Sequence, residues 1–259
     1  MRGNDVGWTS VELIGSLAAG AALLVAFIAW EARAVAPMLP LRFFRSRSFS
    51  AGNAAIFLTF ASLFGAVFFY AQLLQYAQGY GPLGTGLRLM PWTATFLTVA
   101  PAAGALSDRI GERPLMVTGL VLQAAGMAWL ALIAEPGLAY SQMLAPFVVS
   151  GIGVSLAIPA AQNSVVGSIG RDALGKVAGA NSMMRELGGV FGVAVAVAVF
   201  SSAGSYASPA AFVSGFGPAI GVGAGVSSVG ALAGLALPGR RDTRATAPVS
   251  AAATVAAEA

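Results

Sequence analysis

The sequence predicts an all-α integral membrane protein with seven transmembrane helices, and its composition, charge-free stretches and loop charges all indicate this class. Hydrophobic residues make up 57% of the 259 residues and charged residues 9%, whereas soluble domains carry about 25% charged residues. Charges are absent from 48–87, 114–134, 136–170 and 187–239. A helix needs roughly 20 mostly apolar residues to cross the hydrocarbon core. The stretches are continuously apolar rather than alternating, which argues against a β-barrel.

Turn-forming residues divide the apolar stretches into seven spans. The segments GYGPLG at 79–84, EPG at 135–137 and SSAGSYASP at 201–209 interrupt the apolar sequence, as Gly and Pro do between helices. We therefore predict spans at 12–32, 49–75, 84–107, 114–134, 138–163, 178–202 and 211–237.

The basic residues support the same count, because they fall in alternate connections. Eleven of the 14 basic residues lie in the first, third and fifth loops and in the tail. The positive-inside rule places these segments in the cytoplasm, so we expect a multi-pass protein of the cytoplasmic membrane with its N-terminus outside and its C-terminus inside. The eleven residues are Arg33, Arg42, Arg45, Arg47, Arg109, Arg113, Arg171, Lys176, Arg240, Arg241 and Arg244.

The composition also argues against a metal site and against enzymatic catalysis. It contains no Cys and no His, so neither thiolate nor imidazole metal ligands are available. No loop shows a nucleophile–base pair or a phosphate-cradling glycine loop. We predict a protein that is not an enzyme and that uses no cofactor or metal. The net charge of +4 lies in loops, where membrane topology explains it better than nucleic-acid binding does.

A charged turn, GALSDRIGERPL at 104–115, joins the third and fourth spans. Its residues suit a short cytoplasmic loop, in which Gly turns the chain, Arg follows the topology rule and Asp caps the next helix. The spacing G-x-L-x-D-R-x-G-x-R also resembles the loop motif of the major facilitator superfamily. The matching residues are Gly104, Leu106, Asp108, Arg109, Gly111 and Arg113.

The resemblance implies a latch at a cytoplasmic gate, where the Asp and Arg of the motif pair with neighbouring helix ends. Glu112 departs from the pattern, because the family usually has a basic residue there.

Three more segments, 27–49, 70–91 and 181–200, resemble the 14-span drug:proton antiporters of the EmrB/QacA type. The resemblance implies that 1–48 form an extra transmembrane helix with a cytoplasmic linker, and that 49–238 form a C-terminal six-helix transporter bundle. We expect 239–259, which is rich in Ala, Thr and Pro, to be a disordered cytoplasmic tail.

The function implied is that of the C-terminal half of a proton-coupled multidrug or antibiotic efflux antiporter. Its partners would be an amphipathic small molecule, protons, the lipid bilayer and an N-terminal transporter half. An outside N-terminus without a signal sequence also favours a chain that follows earlier spans.

The predicted bundle has the layout of an inverted repeat. Spans two to four start inside and spans five to seven start outside, an arrangement that secondary transporters use to place a site near the membrane midplane. The lead spans carry amides, and we regard Gln72 and Gln75 as candidates to face the substrate.

Three charged residues lie inside spans and are candidates for the cavity or for coupling. Arg88 lies about one turn from the outer edge, where it either snorkels or lines the cavity. Arg185 and Glu186 are adjacent in span six and need not pair with each other, since neighbours on a helix point about 100° apart. Glu186 either pairs with a loop arginine such as Arg109 or takes part in proton coupling.

Other polar and small residues in the spans favour structural roles. We expect Asn53 and Gln123 to hydrogen-bond between helices. Four prolines are expected to break helices, either at gating points or as static kinks. Glycines spaced four apart are expected to allow close packing. The prolines are Pro91, Pro101, Pro146 and Pro159, and the glycines are Gly188, Gly192, Gly217, Gly221, Gly225, Gly230 and Gly234.

Two other classes share the predicted topology. A seven-helix receptor has its N-terminus outside, and a retinal pump does too, although the only lysine, Lys176, lies in a loop and cannot form a buried Schiff base. A membrane subunit that acts only by pairing is the third alternative.

Overall fold

A computed structural model of the chain describes residues 11–34, 37–38, 40–166 and 173–237. This part of the chain contains no strands, and each of its seven long helices has the length and composition to cross a membrane. The helices are α1 (Val11–Arg33), α2 (Arg47–Gln72), α3 (Pro82–Ile110), α4 (Glu112–Ile133), α5 (Tyr140–Val166), α6 (Leu174–Ala203) and α7 (Pro209–Leu235). The predicted all-α membrane class with seven spans is therefore confirmed, whereas the predicted tail at 239–259 lies outside the described residues.

The connection between α3 and α4 is shorter than the sequence suggested. Helix α3 continues to Ile110 and α4 begins at Glu112, so Gly111 alone joins them, with φ 90° and ψ 166°. Asp108 belongs to the last turn of α3, and its side chain lies outside the described part. Gly111 rather than Asp108 occupies the N-cap position of α4, so the expectation that Asp108 is the N-cap residue is wrong.

The prolines do not break the helices in which they lie. Helix α3 is continuous through Pro91 and Pro101, and α5 is continuous through Pro146 and Pro159, so the predicted interruption of these helices is wrong, whereas a static kink at the prolines stays a prediction. Packing against neighbouring helices lets membrane helices tolerate the lost hydrogen bond. The irregular segment is instead a π-type turn over Leu73–Ala77 at the end of α2, which contains no proline.

The six helices of the bundle pack in two layers. One layer has the order α3, α5, α2, α6, and the other contains α4 and α7, which contact each other. Each helix of the first three has a counterpart in the last three: α2 corresponds to α5, α3 to α6, and α4 to α7. When the counterparts are exchanged, the same pairs of helices remain neighbours. Helices α2–α4 and α5–α7 are therefore equivalent three-helix units, as the predicted inverted repeat requires.

Two glycine seams bring helices of the bundle close together. A Cβ atom added at Gly188 or Gly192 of α6 would collide with the backbone of α2, at Phe57 and Ala61 respectively. Gly119 of α4 and Gly153 of α5 face each other in the same way. The packing role predicted for Gly188 and Gly192 agrees with these contacts, and Gly230 and Gly234 of α7 lie similarly close to side chains of α4. A Cβ atom added at Gly221 or Gly225 of α7 would meet nothing within 4 Å, so the close packing predicted for these two glycines is wrong.

The connections alternate between two ends of the bundle. The end that carries the α2–α3, α4–α5 and α6–α7 connections, called here the Tyr80 end, is held together by aromatic rings. Tyr76 lies 4.7 Å from Tyr206 and Phe200 lies 5.1 Å from Phe212, measured between ring centres. The opposite end, called here the Gly111 end, carries the α1–α2 linker and the α3–α4 and α5–α6 connections.

Helix α1 is set apart from the bundle. Only 6% of its spanning segment is buried, and among the described helices none packs extensively against it. The linker that follows it contains a short 3₁₀ helix, Leu41–Arg45, whose Phe43 is buried against Phe49 of α2. The linker rather than α1 itself therefore makes the main attachment to the bundle.

Candidate functional site

Helices α3 and α6 present the most open surfaces of the bundle. They lie at the two ends of the four-helix layer, and only 11% and 22% of their spanning segments are buried, against 61% for α2 and for α5. Large apolar side chains such as Leu97 on α3 and Val190 on α6 are exposed there, by 73% and 72%. These open surfaces frame the candidate functional face.

The two candidate substrate amides lie at the Tyr80 end of α2. Gln72 is half-buried in the last turn of α2, and Gln75 is exposed within the π-type turn. Phe60 lies near the middle of the spanning segment Arg47–Ala77. Gln72 is 12 residues further along, which corresponds to about 18 Å along a helix. The amides therefore lie at one mouth of the bundle rather than at its middle.

Arg88 lies in the second turn of α3, half-buried among aromatic side chains at the Tyr80 end. Its guanidinium carbon lies 3.5 Å from the centre of the Tyr80 ring and 5.5 Å from that of Tyr140. Its Nη1 donates to the Gly84 carbonyl oxygen at 3.2 Å. The Tyr140 hydroxyl donates to the Arg88 carbonyl oxygen at 3.0 Å, so this cluster joins α3 to the start of α5.

Arg185 and Glu186 pair with each other, which the spacing argument did not anticipate. The Nη2 atom of Arg185 lies 3.3 Å from Oε1 of Glu186, and the two side chains are 40% and 71% exposed. The long arginine side chain can bend toward its neighbour although the two Cα–Cβ directions diverge. Arg185 also lies over the Phe60 ring of α2, 5.8 Å from its centre, while Glu186 faces outward.

The six residues of the charged-turn motif all lie at the Gly111 end. Leu106, Arg109 and Arg113 are exposed, Gly104 is half-buried, and Gly111 is buried. The backbone of α3 places Asp108 in the same turn as Arg109. The motif thus brackets the one-residue connection between α3 and α4.

The candidate residues form separate groups rather than one site. Gln72, Gln75 and Arg88 lie at the Tyr80 end, whereas the charged-turn motif lies at the opposite end. Arg185 and Glu186 lie between the two, about 11 residues into α6. Within the described residues, no group of three or more acidic, Cys or His side chains could hold a metal ion.

The polar side chains in the core behave in two ways. Gln123 of α4 donates from Nε2 to the Ser62 hydroxyl of α2 at 2.8 Å, a buried contact between helices, as predicted. Asn53 instead donates to the Phe49 carbonyl oxygen of its own helix at 2.9 Å, so the interhelical bond predicted for it is wrong. Ser227 of α7 adds an unpredicted cross-link, donating to the Leu120 carbonyl oxygen at 2.9 Å.

Two three-helix units with matching neighbours, which begin at opposite ends of the bundle, define the class of protein as a bundle of the secondary-transporter type. The family model described as Major Facilitator Superfamily matches residues 4–193. The chain belongs to this superfamily and is a multi-pass membrane protein. This assignment excludes the receptor and retinal-pump alternatives.

Several relatives are named for drug resistance or antibiotic export. The chain is 30% identical over 202 residues to the "Multidrug resistance protein Stp" of Mycobacterium tuberculosis, which covers 78% of this chain and 37% of the relative. It is 30% identical over 190 residues to the "Tetracenomycin C resistance and export protein" of Streptomyces glaucescens, covering 73% and 35%. A third relative is the "Cephamycin export protein CmcT" of Amycolatopsis lactamdurans, 30% identical over 218 residues, covering 83% and 45%.

The chain therefore spans less than half the length of these curated relatives.

Proposed function

We propose that the chain forms the C-terminal six-helix half, with one preceding extra helix, of a proton-coupled efflux antiporter for amphipathic drugs or antibiotics. The observation that carries the proposal is the similarity to three relatives named for multidrug resistance or antibiotic export, each about 30% identical. The inverted three-helix units support it, because such repeats place a binding site between halves that rock against each other.

The partner in this proposal is an N-terminal transporter half that faces α3 and α6. Both helices expose large apolar side chains, such as Leu97 and Val190, which a second bundle would cover. The surfaces of α3 and α6 that would line the space between the two halves are mainly apolar, with few polar groups, as expected for a site that accepts amphipathic molecules. Gln72, Gln75 and Arg88 would then line the outer mouth of the substrate pathway.

We assign Glu186 the role of a proton-coupling residue and Arg185 that of its charge partner. Glu186 is a carboxylate inside a spanning helix and 71% exposed on the open face, so a second bundle or a substrate can reach it. Ionisable groups within spans commonly mark proton or substrate pathways. The motif from Gly104 to Arg113 would close the pathway at the cytoplasmic end.

Transport assays test the coupling role. The chain would be expressed with an N-terminal half, and proton movement driven by an added drug would be followed in membrane vesicles. Glu186→Gln should abolish drug-driven proton movement, whereas Glu135→Gln, an exposed acid in the α4–α5 connection, should leave it unchanged. Unchanged proton movement in Glu186→Gln would remove the coupling role.

Cysteine labelling tests whether the open face belongs to a transport pathway or only to a pairing surface. The chain contains no native Cys, so Leu97→Cys and Val190→Cys can be labelled without background. Labelling that changes with substrate supports a pathway. Labelling that an N-terminal half blocks regardless of substrate would indicate a non-transporting subunit.

We also propose that the N-terminus lies outside the cell and the C-terminus in the cytoplasm, from the placement of the basic residues. A membrane-impermeant maleimide should label Ala207→Cys, in the α6–α7 connection, in intact cells. Phe44→Cys, in the linker, should react only after the membrane is permeabilised. Labelling of both residues from the same side would contradict this topology.

A further inference from the structure

A cavity of about 490 Å³ lies between α1, the linker and the first turns of α6. This volume is within the range of about 300–1,000 Å³ that is typical of small-molecule sites. Its walls are apolar apart from one charged residue, and they include Phe27, Met38, Lys176, Gly179, Ala180 and Met183.

The linker wall of this cavity is held by two hydrogen bonds. The Met38 backbone N–H donates to Oε1 of Glu31 at 3.2 Å, and the Lys176 ammonium donates to the Pro37 carbonyl oxygen at 2.6 Å. Both contacts tie residues 37–38 in place, one from α1 and one from α6. These two hydrogen bonds hold the linker residues that form one wall of the cavity between α1 and α6.

Lys176 is the charged group that lines the cavity, and its ammonium forms no ion pair with any residue that the structure describes. An ammonium group has three donors, and one of them is used by Pro37. Across the described ranges no carboxylate lies within ion-pairing distance of Lys176. Glu31 is buried in the last turn of α1 and is not among the residues that line the cavity. The cavity thus combines apolar walls with a positively charged ammonium group at one end.

We propose that this cavity binds an anionic phospholipid of the cytoplasmic leaflet, with an acyl chain against Phe27 and Met183 and the headgroup phosphate at the Lys176 ammonium. The leaflet assignment rests on the topology proposed above. Basic pockets between transmembrane helices on the cytoplasmic side are suited to anionic headgroups. The lipid fills the space that separates α1 from α6 and completes the attachment of α1 to the bundle.

Lipid retention tests the charge component of the site. The full chain, in nanodiscs of equal phosphatidylglycerol and phosphatidylcholine with identical acyl chains, would be released into detergent and its bound lipid identified by native mass spectrometry. Retention should favour phosphatidylglycerol by about fivefold, the ratio that corresponds to about 1 kcal/mol per lysine near a membrane surface. Lys176→Gln should abolish the preference and Lys176→Arg should keep it. Arg47→Gln, an exposed arginine at the start of α2 that does not line the cavity, should not change it.

Filling the cavity tests the acyl-chain component independently. A Cβ atom added at Gly179 meets nothing within 4 Å, so Gly179→Leu can occupy the space without a clash. It should reduce retention of both lipids severalfold. Gly225→Leu is the matched control, because a Cβ atom at Gly225 of α7 also meets nothing within 4 Å and lies away from the cavity.

Equal retention of the two lipids by the unmodified chain, or an unchanged preference in Lys176→Gln, would overturn the charge component of the proposal. Equal lipid retention by Gly179→Leu and Gly225→Leu would overturn the acyl-chain component. Displacement of the lipid by oleate or tetraphenylphosphonium at equimolar concentration would also overturn the proposal. The last two probes stand for a fatty-acid site and for a cationic drug site. Retention needs no transport, so a failure of the efflux proposal leaves this result interpretable. The Phe44→Cys labelling reports separately on the leaflet.

Discussion

The guanidinium carbon of Arg88 lies 3.5 Å from the centre of the Tyr80 ring, so the α2–α3 connection is fastened to the second turn of α3 by a cation–π contact. Such contacts stabilise by about 0.5–2 kcal/mol, with the larger values at desolvated sites. The guanidinium also lies 5.5 Å from the centre of the Tyr140 ring of α5, whose hydroxyl donates to the Arg88 backbone carbonyl oxygen. The charge of Arg88 therefore has a structural use at the Tyr80 end, whatever its part in transport.

Removing the Tyr80 ring should destabilise this end of the bundle. Tyr80→Ala should lower the melting temperature in detergent by a few degrees, because a loss of about 1 kcal/mol shifts the melting temperature of a 150–250-residue domain by about 2–4 °C. Tyr80→Phe keeps the aromatic face and serves as the control, with a melting temperature close to that of the unmodified chain. Equal melting temperatures for the Ala and Phe variants would show that the contact contributes nothing.

The seam between α2 and α6 should be highly sensitive to added volume. Gly192→Ala should lower the fraction of monodisperse protein in size-exclusion chromatography, because the new methyl group would collide with the Ala61 backbone and force the helices apart. Gly221→Ala is the control, since a Cβ atom there meets nothing within 4 Å. Replacing a helical Gly by Ala stabilises by about 0.4–1 kcal/mol where the backbone tolerates it, so the two variants should change stability in opposite directions.

The one-residue connection at Gly111 should tolerate no side chain. Its φ of 90° and ψ of 166° lie in a region that is essentially restricted to glycine, where other residues cost about 1–3 kcal/mol. Gly111→Ala should therefore lower the unfolding free energy by an amount in this range, measured by denaturant titration in mixed micelles.

Gly104→Ala provides the comparison within the same motif. Gly104 lies inside α3, and an added Cβ atom there meets nothing within 4 Å, so this variant should be neutral or slightly stabilised. If both variants lost stability equally, backbone strain at Gly111 would not be the cause.

Hydropathy and loop charge were sufficient to predict all seven helices, because lipid imposes a minimum length of apolar sequence and topology segregates arginines. They could not predict how the helices end. Helix α3 runs past the apolar stretch to Ile110, since the charged last turn can leave the bilayer as a helix. The π-type turn at Leu73–Ala77 has no marker residue, so composition offers no signal for it.

The candidate site was predictable as a set of residues but not as an arrangement. An ionisable residue inside a span is conspicuous in any sequence, which is why Arg88 and Glu186 were identified. Their partners depend on side-chain reach and on which helices are neighbours, and neither quantity is encoded in spacing alone. Lys176 shows the same limit, because its contact with Pro37 joins residues 139 positions apart.

The buried bond between Gln123 and Ser62 should show a measurable coupling energy. The two side chains join α4 to α2 at 2.8 Å, and such bonds in membrane proteins contribute about 0.6 kcal/mol on average and about 1.7 at most. A double-mutant cycle with Ser62→Ala and Gln123→Leu, measured by steric trapping or denaturant titration, should give a coupling energy in this range. Strictly additive effects of the two substitutions would mean that the bond does not stabilise the bundle.

The aromatic cluster at the Tyr80 end should make stability depend on alkaline pH. Burial raises the pKa of Tyr206, which lies in the α6–α7 connection, above its ordinary value of 10.0, and repulsion from Tyr76 adds to the shift. The folded chain therefore holds the phenolic proton more tightly than the unfolded chain does, so this stability is fully present below about pH 10 and decreases as pH rises further. Tyr206→Phe keeps the ring contacts, including the one 5.0 Å from Phe200, and removes the ionisation. Between pH 8 and pH 11, unfolding free energies should fall less steeply for Tyr206→Phe than for the unmodified chain, and parallel pH profiles would exclude Tyr206 as the source.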